Sequence, residues 1–167
     1  MKKGDQKADP DRYQLVPRTL CFVFHDSDLL LLRGAPSKRL WANLYNGIGG
    51  HVDRGEDVAS AARREIREET GLEVDGLRLA GVITIDVEPQ LGIALYVFIA
   101  RARQRLVMPS AEGELEWFST DRLPRKQMVD DLPQLIERIL SAADSQAPFC
   151  ARYSYNSADE LIVDFAA

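Results

Sequence analysis

The chain reads as an α/β protein, with helices covering the faces of a central mixed sheet. Three observations predict this. Most of the apolar residues fall in short β-branched and aromatic runs divided by turn signals. One helix, rich in Ala, Arg and Glu, is embedded between those runs. A second, amphipathic helix comes late, ahead of a last pair of strand runs. Packing helices on sheet faces is one of the few ways to bury both patterns around a single core.

The elements follow in order. Val16–Phe24 and Leu29–Arg33 are β-rich runs, and Asp26-Ser27-Asp28 between them reads as a hairpin turn. Gly34–Leu40 is a polar loop, and Trp41–Ile48 is a weaker strand candidate ending in Gly49-Gly50. Asp57–Thr70 is a helix, with Gly71 placed where a helix C-terminus wants a left-handed residue. Leu77–Val87 and Ile93–Ala102 are longer strands joined by a hairpin over Glu88–Gly92, and Leu115–Ser119 is a short strand. Asp130–Ala143 is the second helix, with Leu132, Leu135, Ile136, Ile139 and Leu140 forming its apolar stripe. Ala151–Tyr155 and Leu161–Phe165 form a terminal hairpin around Asn156–Glu160.

The length of 167 residues suits one domain with a sizeable core. We expect residues 1–12 to be a flexible polar tail and 13–167 to be a single domain. The tail has no apolar segment and is not a secretory signal. No apolar run approaches the roughly 20 residues that span a bilayer. A net charge of −5 argues against a general nucleic-acid binder, whereas a small anionic ligand stays possible through a bound cation. Two cysteines, Cys21 and Cys150, make no disulfide framework and point to a reducing cytoplasm. With only His25 and His51, a histidine-rich metal site or histidine-led triad is not expected.

The chemistry lies in Gly50–Leu72, GHVDRGEDVASAARREIREETGL. On a helix, Glu65, Glu68 and Glu69 fall within an arc of about 100°. Three carboxylates on one face repel one another by a few tenths of a kcal/mol per pair. A solvated acidic face is the ordinary reading of such a cluster. Here Val58, Ala61 and Ala62 project within roughly 60° of Glu65, while Ser60, Arg63, Arg64 and Arg67 point elsewhere. The glutamates therefore share the small-residue side, where the helix approaches the protein and charge is costly without a partner. A hard divalent cation is that partner: Mg²⁺ takes oxygen ligands and usually bridges carboxylates to substrate phosphates. Gly49-Gly50 lets the backbone approach a ligand and offers carbonyl oxygens, and Gly55 permits a tight loop before the helix.

Gly50–Leu72 resembles the Nudix box, Gly-x5-Glu-x7-Arg-Glu-U-x-Glu-Glu-x-Gly-U with U aliphatic, and matches every defining position. A chance match somewhere in the chain is on the order of one in ten million at average residue frequencies. The strand order around the box also fits the Nudix α/β/α sandwich. The resemblance implies a Mg²⁺- or Mn²⁺-dependent hydrolase of a phosphoanhydride bond in a small nucleotide, with no stable nucleic-acid partner and no membrane. Its oligomeric state, monomer or homodimer, is left open. It implies that Glu65, Glu68 and Glu69 bind the metal beside the Gly49 or Gly50 carbonyl. Glu56 would support the loop or a second metal, and Arg64 would orient a glutamate by a charge-assisted hydrogen bond. A carboxylate outside the box often serves as base or extra ligand in the family; Glu112 is the candidate, with Glu114 and Glu116 as rivals.

Flanking segments bear on the substrate. Leu44–Gly50 resembles the Trp-Asn-Gly-aromatic-Gly-Gly run of MutT-like enzymes acting on oxidised purine nucleoside triphosphates, which implies that Asn46 reads the base edge. Asn-Gly is equally an ordinary turn. Trp117-Phe118, Leu123-Pro124 and Met128–Asp131 resemble the same subgroup's later segment, where paired aspartates contact the purine and can share a proton. Here Val129 replaces the subgroup's tryptophan, and the spacing to Asp130 and Asp131 is one residue shorter. The two aspartates are equally well placed to cap the second helix. An ADP-ribose or dinucleotide substrate is the alternative, since such enzymes often carry a proline near the position of Pro89, although a hairpin turn accounts for that residue. A nucleotide-sensing module without catalysis is a second alternative; such modules tend to lose box carboxylates, and all four are present here.

Overall fold

The structure, a computed structural model, describes residues 11–141 and 147–166 together with Lys2, Asp5 and Asp9. Most of the expected tail lies outside the described residues, as do Ala142 and Ala143 at the expected end of the second helix. Eight strands form one mixed sheet: β1 (Gln14–His25), β2 (Asp28–Gly34), β3 (Tyr45–Asn46), β4 (Val74–Glu88), β5 (Leu91–Ala102), β6 (Gly113–Ser119), β7 (Phe149–Tyr155) and β8 (Leu161–Phe165). The helices are α1 (Val58–Thr70) and α2 (Leu132–Ser141). The strand order is β3-β2-β1-β5-β4-β7-β8, with β6 paired to β2 off that path. The β1–β5 and β4–β7 pairs are parallel and the other pairs antiparallel, which confirms the expected mixed sheet of α/β class.

Side-chain alternation divides the core into two layers. Leu20 and Phe22 of β1 join Val97 of β5, Ile83 of β4 and the stripe Leu132, Leu135, Ile136 and Ile139 of α2. Cys21 and Val23, one residue out of step, join Leu30, Leu32, Phe98 and the Ala62 and Ile66 side of α1. Covered on both faces, the middle strands read as continuous apolar runs such as Leu20–Val23, every residue of which is buried. This arrangement places α1 on one face of β1 and α2 on the other.

Local chemistry explains the departures from expectation. The Trp41–Ile48 strand contracts to Tyr45–Asn46, because Trp41 and Asn43 adopt left-handed φ values of 58° and 63° and turn the chain. Ile48 is held only by an isolated bridge to Cys21. The hairpin expected over Glu88–Gly92 tightens to Pro89-Gln90, because Glu88 and Leu91 already pair. Helix α1 begins as expected: the Asp57 carboxylate accepts the Ala59 and Ser60 N–H groups at 2.9 and 3.0 Å. It ends on Gly71 at φ 72°, whose N–H reaches the Arg67 carbonyl.

Candidate active site

The segment Ile48–His51 runs antiparallel to β1, bridging Cys21 to Ile48 and Arg18 to His51. The Thr19 N–H donates to the Gly50 carbonyl at 2.8 Å. This places the box loop against β1 on the α1 side. A Cβ on Gly50 would lie 2.5 Å from a Glu65 carboxylate oxygen, so a residue with no side chain lets the loop backbone approach that carboxylate. One lone pair of the Gly50 carbonyl is taken by Thr19, leaving the other for a ligand.

Arg64 organises the carboxylates. Its guanidinium donates to both oxygens of Glu56 (2.7 and 3.2 Å), to Glu65 at 2.8 Å, to Glu68 at 3.1 Å and to the His51 carbonyl at 3.0 Å. The helical wheel points Arg64 away from the helix glutamates, but its long stem carries the planar fork back to two of them, Glu65 and Glu68, and to Glu56 of the loop. These hydrogen bonds push the Arg64 pKa up, Glu56 contributing most, and they hold Glu56 below the usual carboxylate range. The expected common face is therefore only partly kept. The Glu65 side chain is 13% exposed and faces the loop, while Glu68 is 57% exposed at the solvent rim.

Glu69 differs from the others. Burial, then the neighbouring charges of Glu65 and Glu112, push its pKa up to about 7, against opposing effects from Lys38 and the Gly49 N–H. Its Oε2 is buried and has no hydrogen-bond partner among the described residues. Burial, then the charges of Glu69 and Glu65, raise the pKa of Cys21. An orphaned carboxylate oxygen, hard donors on one helix and a close backbone carbonyl suit a hard divalent cation. No group of three or more His, Cys, Asp or Glu side chains among the described residues is preassembled to hold a metal ion. Arg64 already pairs with Glu56, Glu65 and Glu68.

The geometry separates the three candidates outside the box. Glu112 is ion-paired to Lys38, and both feel the charge of Glu69. Glu114 and Glu116 pair opposite Arg33 and Leu31 of β2, placing them on the α2 side of the sheet. Glu116 accepts the Tyr45 hydroxyl at 2.6 Å, and the Tyr45 pKa rises to about 12, first through burial and then through Glu116. Lys38 lies in the loop read only as polar, where no motif marks it.

The expected base-reading residues are brought together. The Val129 N–H donates to the Tyr45 carbonyl at 3.1 Å, and Tyr45 bridges Met128, so Met128–Asp131 lies beside Tyr45-Asn46. The Asn46 side-chain oxygen accepts the Gly47 N–H at 2.8 Å, which leaves its NH₂ as the group to offer a base. Val129 is buried in the α2-side core and presents no stacking surface. Asp130 is exposed. Asp131 precedes α2, where its carbonyl accepts the Leu135 N–H at 3.0 Å. Its carboxyl is partly buried, and burial holds its pKa above the usual range. The Tyr153 hydroxyl interacts with it from β7, a contribution the strand pattern alone did not reveal.

A family model described as NUDIX domain matches residues 14–139. An oxidized purine nucleoside triphosphate hydrolase of Mus musculus is 28% identical over 150 residues, covering 86% of this chain and 89% of that protein. The protein of the same description from Danio rerio is 36% identical over 117 residues, 68% of this chain and 73% of its own length. A MutT protein structure from Bacillus halodurans superposes with a TM-score of 0.71 at 22% identity, over 90% of this chain and 97% of that one, and bears on the fold alone. A complete box, built around an arginine-held carboxylate cluster and matched by a model over most of the chain, shows that the protein belongs to the NUDIX domain family and is an enzyme acting on a phosphoanhydride bond.

Proposed function

We propose that the enzyme hydrolyses an oxidised purine nucleoside triphosphate, such as 8-oxo-dGTP, with Mg²⁺ or Mn²⁺, releasing the monophosphate and pyrophosphate. The observation that carries this reading is the joining of two clusters. Asn46 and the Met128–Asp131 segment stand at one end of Asn46–Gly50, and the box carboxylates stand at the other. A nucleotide held by its base at Asn46 and Asp131 would bring its phosphate chain to Glu65 and Glu69. The similarity to oxidized purine nucleoside triphosphate hydrolases over most of the chain supports the same reading.

Glu65, Glu68 and Glu69 would hold the divalent ion together with the Gly49 or Gly50 carbonyl, and Glu56 would support the loop or a second ion. When bound, the ion polarises the phosphoanhydride, neutralises the leaving group and acidifies the attacking water. Arg64 would keep Glu56 and Glu65 ionised and oriented. Glu112, restrained by Lys38, would take the water proton on its carboxylate as the water oxygen bonds to phosphorus and the anhydride oxygen leaves on pyrophosphate. Asn46 would donate from its NH₂ to a base acceptor. Asp130 and Asp131, one of them with a raised pKa, would provide a donor and an acceptor in the same pair.

The test is a substrate panel with Mg²⁺: 8-oxo-dGTP, dGTP, other oxidised purine triphosphates, ADP-ribose and NADH. The expected outcome is pyrophosphate release with the highest kcat/KM for an oxidised purine triphosphate. A strong preference for ADP-ribose or NADH would overturn the substrate assignment.

A further inference from the structure

Four buried side-chain polar atoms lack a hydrogen-bond partner among the described residues: Arg18 Nε, Arg33 Nε, the Tyr153 hydroxyl and Glu69 Oε2. Glu69 belongs to the carboxylate site. The other three share the opposite face of the sheet. Arg18 is in step with Leu20 and Phe22, Arg33 with Leu29 and Leu31, and Tyr153 with Ala151, all of the α2-side core. Arg33 lies over the Tyr45 ring, 6.0 Å from its centroid, and Tyr153 interacts with Asp131. Arg18 has neither kind of partner among the described residues; its Nε is buried, while the residue as a whole is partly exposed. A buried N–H donor left without an acceptor is unfavourable, and a ligand can supply the acceptor.

The neighbours of Arg18 define that ligand. It lies between Leu95 of β5 and His51 of the box loop. Across β5 and β4 the register aligns Arg18 with Leu95, Ile83 and Ala151, and Tyr153 stands two residues farther along β7, about 16 Å from Arg18 by three strand spacings and that offset. Partly buried Leu95 and Ile85 and fully buried Ile83 lie between them on this face. An aliphatic floor with polar groups at both edges suits a flat heterocycle rather than a phosphate chain. The carboxylates for the phosphates are on the other side of β1, with Thr19 and Cys21. Arg18 therefore meets the base end of the substrate.

We propose that Arg18 is a specificity-determining residue that donates from its guanidinium to the 6-oxo oxygen of the nucleobase, so that guanine-type nucleotides are taken over adenine-type ones. A guanidinium has only donors, and a 6-amino group presents donors to it, so the adenine-type base leaves Arg18 unpaired and opposed. This inference rests on the oxidised-purine reading above.

The experiment is calorimetric binding in EDTA of 8-oxo-deoxyguanosine, 8-oxo-deoxyadenosine and their 5′-monophosphates to the wild type, Arg18→Met and Arg18→Lys. The wild type binds the guanine-type ligands tighter by about tenfold to a hundredfold, the discrimination a good side-chain-to-base contact provides. Arg18→Met brings the two bases to near parity by weakening the guanine-type ligands, nucleoside and nucleotide alike. Arg18→Lys keeps the charge without the fork and retains part of the difference, and it decides the matter if Arg18→Met does not fold. Unchanged discrimination in the folded variant overturns the proposal. So does a loss confined to the monophosphates, which would make Arg18 a phosphate ligand. If the wild type binds no oxidised purine ligand at all, the substrate reading itself fails.

Discussion

Substituting alanine at Gly50 separates the active site from the fold. The Gly50 φ lies outside the left-handed region, so an L side chain brings no backbone strain. The new Cβ would stand 2.5 Å from a Glu65 carboxylate oxygen, and ordinary contact begins at 3.4 Å, so the carboxylate must retreat by about 0.9 Å. The neighbour that must give is the end of a side chain, and a χ rotation of some 30° costs about 0.5–1.5 kcal/mol. For a domain of this size, that lowers the melting temperature by only a few degrees. Turnover suffers more, since a 1 Å misplacement at a reacting centre can cost on the order of a hundredfold. Gly50→Ala should therefore melt within a few degrees of the wild type while its kcat for pyrophosphate release from 8-oxo-dGTP falls tenfold to a hundredfold. Gly49→Ala is the control. Its Cβ would lie 2.1 Å from the Thr19 carbonyl oxygen, backbone that cannot step aside, so that variant should lose stability first. Full kcat in Gly50→Ala, or a loss of stability matching Gly49→Ala, would refute the reasoning.

Three further expectations follow. Glu69→Gln should lower Mg²⁺-dependent turnover at least a hundredfold and abolish the rise in melting temperature that Mn²⁺ produces in the wild type; a retained Mn²⁺ shift would remove Glu69 from the metal site. Asp131 has a folded-state pKa raised by burial, so the stability it allows is greatest below its ordinary pKa of about 3.9 and is lost as pH rises through the folded value. Asp131→Asn should therefore melt higher than the wild type near pH 7, with the gain fading toward pH 4; a constant gain across that range would show that titration is not its origin. Gly71→Ala forces a side chain into φ 72° and against Met108, and should cost about 1–2 kcal/mol in chemical denaturation; a neutral result would mean that the helix end relaxes.

The parts of this molecule that repeat with a period were legible in the sequence. The 3.6-residue period placed Val58, Ala61 and Ala62 on the side of α1 that approaches the protein, where Ala61 and Ala62 are buried, and the β-rich runs marked β1 and β5 as strands. The spacing of Gly50, Glu56, Arg64, Glu65, Glu68 and Glu69 identified the carboxylate cluster. What stayed hidden depends on side-chain length and tertiary neighbours. A wheel fixes the direction of a Cβ, not the reach of a guanidinium, so the position of Arg64 among three carboxylates could not be read from it. The association of Lys38 with Glu112, and of Tyr153 with Asp131, joins segments more than twenty residues apart in different elements. The left-handed turns at Trp41 and Asn43 that shorten the third strand carry no glycine or proline to announce them.

The guanidinium of Arg64 has one more consequence. Clusters of carboxylates in metalloproteins often make folding wait for the metal, because the empty site repels itself. Here the chain carries a resident counter-ion that offsets the repulsion among Glu56, Glu65 and Glu68 and leaves Glu69 to feel Glu65 and Glu112. On the proposed reading, folding would not wait for the metal. On the same reading, an incoming cation would compete with a tethered arginine for Glu65 and Glu68, and a polyphosphate bringing its own negative charge would tilt that contest. Ion and nucleotide would then bind as mutual allies, each raising the other's affinity by the same factor.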